Sequence, residues 1–270
     1  MSWNFLDPAS RSRLDAVVAR EADGLLALSA DPERWRAPTA SEGWTVQDVV
    51  GHMVDTTEGY FVSFDAARGG QPAAEPLGVR DMAKYVDDGA KSFRPVGQAE
   101  LLGRLRADFD RFAQIRRDVT DEEWTGLNVP HKYMGPVPAA FYTVFQLVDY
   151  AVHAWDIREG AGRPHGLAAD TADLLVPLSF IVWQSTCDTT GVPPYSLGIR
   201  ILSGANAGDT VARVTEEGIV FEPGDLSGLP GVIEFDPASF VLTAFGRING
   251  GTHRGDTELL GRFCNLFFRI

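Results

Sequence analysis

Three side chains stand out because their chemistry conflicts with their surroundings. His52 lies in "VVGHMV", and Asp149 and His153 lie four residues apart in "QLVDYAVHAWDIREG"; all three sit among large apolar residues. On a helix, residues i and i+4 share a face one turn apart, so Asp149 and His153 can converge on one point. A carboxylate buried there without a partner would be neutralised, or would destabilise the fold by roughly several kcal/mol. A bound cation removes that penalty. With His52 from a second helix the set becomes three N/O ligands. That is the number in catalytic divalent-metal sites that keep one position open for water or substrate. Zinc suits the set best, and nickel or iron accept the same ligands. The spacing also admits a plainer arrangement, a hydrogen bond between Asp149 and His153, with Asp156 doing the same one turn on.

The elements that must position these residues read as helices over the first 160 residues. Residues 9–30 place Leu14, Val17, Val18, Leu25 and Leu28 near helical spacing. After a polar connection, Thr45 and Asp48 resemble a capping box, and Trp44 is placed as a hydrophobic staple. That helix runs on through His52 and ends before "RGGQP". A shorter helix is expected over 79–92. Residues 98–118 form an amphipathic one with Leu101, Leu102, Leu105, Phe109, Phe112 and Ile115 on its stripe. The segment "TDEEWTGLNVPHKYMGPVP" reads as a long irregular connection. The helix of Asp149 and His153 follows, from about Pro138 to Glu159, apolar on most faces and hence central. Four long helices with one long connection predict a four-helix bundle.

After "GAGRPHG" the pattern changes. A helix near 168–186 precedes short alternating segments that read as three to five strands, with turns at Gly204, Glu217–Gly218 and Gly228. Two helices capped by Asp236 and Asp256 close the chain. The fold class is therefore α+β, with a helical domain over 1–162 and a small α+β domain over 163–270.

Composition narrows the partners. The chain of 270 residues has 37 acidic and 24 basic residues, a formal net charge of −13. That balance opposes a nucleic-acid partner, which needs clustered Lys and Arg. The longest apolar run, "LLVPLSFIVW", is too short for a membrane span of roughly 20 residues. Two separated cysteines, Cys187 and Cys264, suggest neither a disulfide framework nor a cysteine zinc ribbon. A reducing cytoplasm and no signal peptide are expected.

"GWTVQDVVGHM" followed about a hundred residues later by "DYAVHAWDI" resembles the mycothiol-dependent maleylpyruvate isomerase family. The resemblance covers residues 10–160. It implies a DinB-like metal-binding bundle, a group that includes bacillithiol and mycothiol S-transferases. The tail from "FVLTAFG" to "RFCNLF" is similar to the accompanying domain, reminiscent of sterol-carrier-like folds. The resemblance assigns the metal triad to His52, Asp149 and His153. Many members carry Glu at the position of Asp149, which is shorter by one methylene. It further implies an actinobacterial enzyme with mycothiol as thiol cosubstrate, a small-molecule substrate, and a monomeric or homodimeric state.

A dication keeps a coordinated thiol deprotonated, and the thiolate is the nucleophile. Reversible addition to a conjugated cis double bond would isomerise an unsaturated keto-diacid; attack on an electrophile would transfer the thiol. Cys264 reads as core and Cys187 lies far from the triad in sequence, so the thiol must come from outside. A diacid calls for arginines, which bind carboxylates bidentately. Arg247 in "AFGRING" and Arg80 in "GVRDM" are the candidates. His131 or Tyr133, on a segment able to act as a lid, is the candidate proton donor. Trp155 and Asp156 are expected to pack and hydrogen-bond around the site. His165 and His253 receive no role. The competing readings are a non-catalytic small-molecule-binding protein with a structural or absent metal, and a hydrolase using metal-bound water.

Overall fold

The computed structural model describes residues 4–270 other than 71, 73 and 164. Residues 5–167 form one compact unit and residues 168–270 form the body of a second. The division falls five residues beyond the boundary expected from the change of pattern at residue 162.

In the helical unit, α1 (Arg11–Ser29), α2 (Val46–Arg68), α4 (Gln98–Asp118) and α6 (Ala140–Gly160) are long, and α3 (Met82–Ser92) and α5 (Asp121–Gly126) are short. The start of α2 is fixed as expected: Thr45 caps it, and Thr45 and Asp48 form a reciprocal capping box. Asp48 is fully buried, and Arg94 grips its carboxylate through two bonds of 2.8 and 3.0 Å. Burial pushes that carboxyl up, but the bonds from Arg94 and Thr45 outweigh it and hold the group below the usual carboxylate range.

The core of this unit is aromatic and aliphatic. Tyr60, Phe64, Phe112 and Tyr142 meet edge to face or tilted, with ring centroids 4.8 to 5.6 Å apart, beside buried Leu14, Leu25, Leu101, Leu105 and Leu147. Each such large side chain contributes about 1.5–3 kcal/mol by leaving water. The stripe on α4 is narrower than its spacing suggests: Leu102 and Ile115 are half-buried, and Arg116 is buried instead. Arg116 pairs with Asp15 at 2.9 Å and bonds Gln146 on α6, so a charged residue ties three helices together.

The connection from 120 to 138 is not irregular. Thr120 and Glu123 cap α5 reciprocally, and β1 (Asn128–His131) and β2 (Gly135–Pro138) form an antiparallel hairpin that packs beside α2. Val129, Tyr133 and Val137 are buried, so the hairpin belongs to the body of the unit.

The second unit opens with α7 (Ala169–Thr186), followed by β3 (Tyr195–Ile201), β4 (Gly208–Thr215), β5 (Gly218–Pro223), β6 (Gly231–Phe235), α8 (Pro237–Ala244), β7 (Thr252–Gly255) and α9 (Thr257–Cys264). The sheet order is β5-β4-β3-β6-β7; β3 and β6 run parallel, and the other neighbours are antiparallel. Its core gathers Trp183 of α7, Leu197, Ile199, Ile233 and Phe235 of the sheet, Phe240 of α8 and Phe263 of α9. Among the described residues, no helix is long and apolar enough to cross a membrane.

Candidate metal centre

Where it carries His52, α2 lies close against the end of α3. A Cβ on Gly51 would stand 2.6 Å from the Ala90 carbonyl oxygen and 3.1 Å from Phe93 Cβ, so glycine beside His52 is a condition of that packing. The approach is fixed further by Gln47, whose amide donates to the carbonyls of Phe93, Arg94 and Val96. These carbonyls follow the end of α3, where intrahelical partners run out.

His52 of α2 and Asp149 and His153 of α6 bring one ligand atom each to within 4.8 Å of one another. Both histidines are 7% exposed, and Asp149 is half-buried. His52 Nε2 stands 3.9 Å from Asp149 Oδ1, and the two imidazole centroids are 4.9 Å apart. Ligands sharing a tetrahedral ion at about 2.0–2.2 Å lie about 3.3–3.6 Å from one another. The set therefore closes on an ion with movements of about 1 Å, within reach of side-chain torsions. The shorter Asp149 does not put the carboxylate out of range.

The orientation of His153 comes from behind it. Asp156, fully buried, accepts from His153 Nδ1 at 2.9 Å and from the Ser41 hydroxyl at 2.8 Å, while its backbone carbonyl accepts from Ala40 N–H at 2.9 Å. A carboxylate accepts and does not donate, so the proton sits on Nδ1 and the lone pair of Nε2 is left for an ion. On the other histidine, Nδ1 meets Thr56 Oγ1 at 3.3 Å, one turn on along α2.

Trp44 closes one side. Its ring lies over His153 at 5.7 Å and against His52 at 5.3 Å, and its indole N–H donates to Asp87, itself held by Lys91 at 2.7 Å. Asp149 also acts on groups around it. Tyr60 is raised well above the ordinary phenol range, first by burial and then by the Asp149 charge. Burial lowers His131 to about 4, the charge of Asp149 pulling the other way.

The sequence-predicted residues thus fare differently. His52, Asp149 and His153 come together. Asp156 packs behind His153 as expected, whereas Trp155 lies tilted against His165, ring centroids 5.2 Å apart. His131 sits on the hairpin rather than in a solvated loop, and its Nδ1 accepts from the N–H groups of Tyr133 and Met134. Burial, which holds it down to about 4, favours the neutral imidazole, whose Nε2 is left as the hydrogen-bond donor. Tyr133 is buried, and burial followed by the Asp55 charge raises it to about 12. Arg80 is exposed on the single 3-10 turn 79–81 that leads into α3. Arg247 lies in the second unit, where its guanidinium donates to the Phe245 carbonyl at 2.8 Å. Trp44, Ser41 and Thr56 were not expected at the site. Thr56 follows His52 by four residues, a spacing that would have found it; Ser41 and Trp44 reach the site through a fold of the chain that spacing does not encode.

A DinB-like four-helix bundle with a His–Asp–His cluster between two of its helices, followed by an α+β unit, defines the class of this protein. Residues 16–158 match the mycothiol maleylpyruvate isomerase N-terminal domain, and the chain belongs to that family. It is 29% identical over 154 residues to an uncharacterized protein found in two strains of Mycobacterium tuberculosis; the match takes in 54% of this chain and 56% of that protein's length. The crystal structure of a mycothiol-dependent maleylpyruvate isomerase superposes with a TM-score of 0.60 at 16% identity, covering 90% of this chain and 92% of that one. A mutant of that enzyme gives the same TM-score at 15% identity. At these identities the likeness speaks for the fold.

Proposed function

We propose that this chain is a divalent-metal enzyme that uses mycothiol as its thiol cosubstrate. The reaction is cis–trans isomerisation of an unsaturated keto-diacid or transfer of the thiol to a small electrophile. The observation that supports this most directly is the convergence of His52, Asp149 and His153, with the Asp156 carboxylate held against His153 Nδ1. Membership of the mycothiol maleylpyruvate isomerase family, together with the likeness in fold to a solved mycothiol-dependent maleylpyruvate isomerase, supports the choice of thiol and substrate.

His52, Asp149 and His153 would hold the ion, zinc by preference for this donor set. A dication there keeps a coordinated thiol ionised, which addition to a conjugated double bond requires. The remaining work falls to the chain. Trp44 shields both imidazoles from water on one side. Asp156 and Ser41 keep His153 in register. His131, neutral and near Asp149, offers an N–H to a developing enolate oxygen rather than a proton. Arg80, exposed just ahead of α3 in the same unit, is the group assigned to a substrate carboxylate.

Metal content after zinc loading and dialysis, followed by assays with mycothiol and maleylpyruvate, tests the reading. One equivalent of zinc is expected to remain, to raise the melting temperature by mass action, and to be lost in His52→Ala and His153→Ala. Isomerisation that leaves the thiol unconsumed marks an isomerase; a stable thioether marks a transferase. Zinc retained in both variants would refute the ligand assignment, and neither product from the loaded enzyme would refute the chemistry.

A further inference from the structure

The second unit contains a pocket of about 600 Å³ that owes nothing to the helical bundle. Its wall includes the glycine-rich segment at 246–251, and its lining includes His253, Cys264, Asn249, Asn265 and Arg269. Gly251 sets that wall against the sheet: its φ is +93°, and a Cβ there would lie 2.7 Å from the side chains of Ile233 and Phe235.

Within the lining, Cys264 Sγ at the end of α9 stands 4.0 Å from His253 Nε2 on edge strand β7. The sequence alone places Cys264 in the core and gives His253 no role. Cys264 is half-buried and does pack against the core, and its thiol also borders the pocket beside the His253 imidazole. A nucleophile and a base at this looser spacing tighten when a reactant enters. Cys187 differs: its thiol donates to the Gln184 carbonyl at 3.3 Å.

We propose that Cys264 and His253 form a second reactive site, which adds its thiol to small α,β-unsaturated carbonyl compounds that carry a carboxylate. Arg269 in the lining supplies the counter-charge, and Asn249 and Asn265 supply neutral polar groups. Burial pushes the Cys264 thiol up, so it rests protonated and needs the base. In the step, His253 Nε2 takes the thiol proton as sulfur bonds the β-carbon. The π electrons pass to the carbonyl as an enolate, and the same proton returns to the α-carbon. The product is a thioether; nothing is oxidised and nothing leaves.

The test reacts the full chain at neutral pH with maleimidoacetic acid and, separately, with neutral N-ethylmaleimide, and reads each cysteine by peptide mass spectrometry. Cys264 is expected to label faster than Cys187. His253→Asn should slow Cys264 by about a hundredfold while leaving Cys187 unchanged, which also reports that the fold is intact. The acid should label Cys264 faster than the neutral probe, and Arg269→Gln should abolish that preference. Equal rates at the two cysteines, or an unchanged Cys264 rate in His253→Asn, would overturn the site. No preference for the acid in the wild type would overturn the anionic class of ligand.

Discussion

Asp156 touches none of the three converging ligand atoms in a way that binds an ion, yet it decides what His153 can do. Its carboxylate accepts the hydrogen bond from His153 Nδ1 and is itself anchored by the Ser41 hydroxyl. Asp156→Asn replaces one acceptor oxygen by an amide that donates. An imidazole facing that amide is pushed toward the tautomer with its proton on Nε2, where an ion would bind. Zinc affinity, read by competition with a chromophoric chelator, should fall about 10–100-fold, with helix content by circular dichroism unchanged. Unchanged affinity would mean that His153 is oriented by packing alone. At this scale the sequence was informative where chemistry and spacing coincide: His52 and the Asp149–His153 pair announce themselves as polar groups in apolar runs. Ser41 and Trp44 do not, because their role arises where residues 40–45 cross α6 and α2, a long-range contact without a local signature.

Elements follow the same division. Thr45 with Asp48 and Thr120 with Glu123 are local devices, and both helix starts obey them. The hairpin at 128–138 was hidden because Pro130, Pro136 and Pro138 break the strand pattern, and its pairing is set by packing on α2. Strand β7 was hidden because all its residues are exposed, leaving no alternation to see. What holds α2 to α3 can be tested on α2 itself. Gly51→Ala forces a methyl into the Ala90 carbonyl, and backbone cannot yield as a side-chain end can. It should destabilise the chain by about 1–3 kcal/mol. Gly59→Ala, on the same helix with nothing within 4 Å, should stabilise it by about 0.5–1 kcal/mol. Urea denaturation of both variants distinguishes close approach from propensity; two shifts of the same sign would contradict the account.

For the whole molecule, the response of stability to pH sums groups displaced in opposite directions. Burial, then the neighbouring Glu58, raises the Asp108 carboxyl from 3.8 to about 6, with Arg104 and Arg111 opposing. A carboxyl raised on folding contributes stability that is fully present below 3.8 and is lost as pH rises through about 6. His131 runs the other way, lowered by burial from 6.5 to about 4: its contribution is present above 6.5 and is lost as pH falls through about 4. Between about pH 4 and 6.5 the two nearly cancel. Asp108→Asn removes one side of that balance, since the amide mimics the protonated carboxyl and can donate to Glu58. The variant should be more stable than the wild type by about 1–2 kcal/mol at pH 7.5, after discounting for partial exposure. The gain should shrink toward zero at pH 4.5, because there the wild-type carboxyl is already protonated. Melting temperatures of both proteins across that range provide the check. A gain that is the same at both ends would show that Asp108 is not the group that titrates.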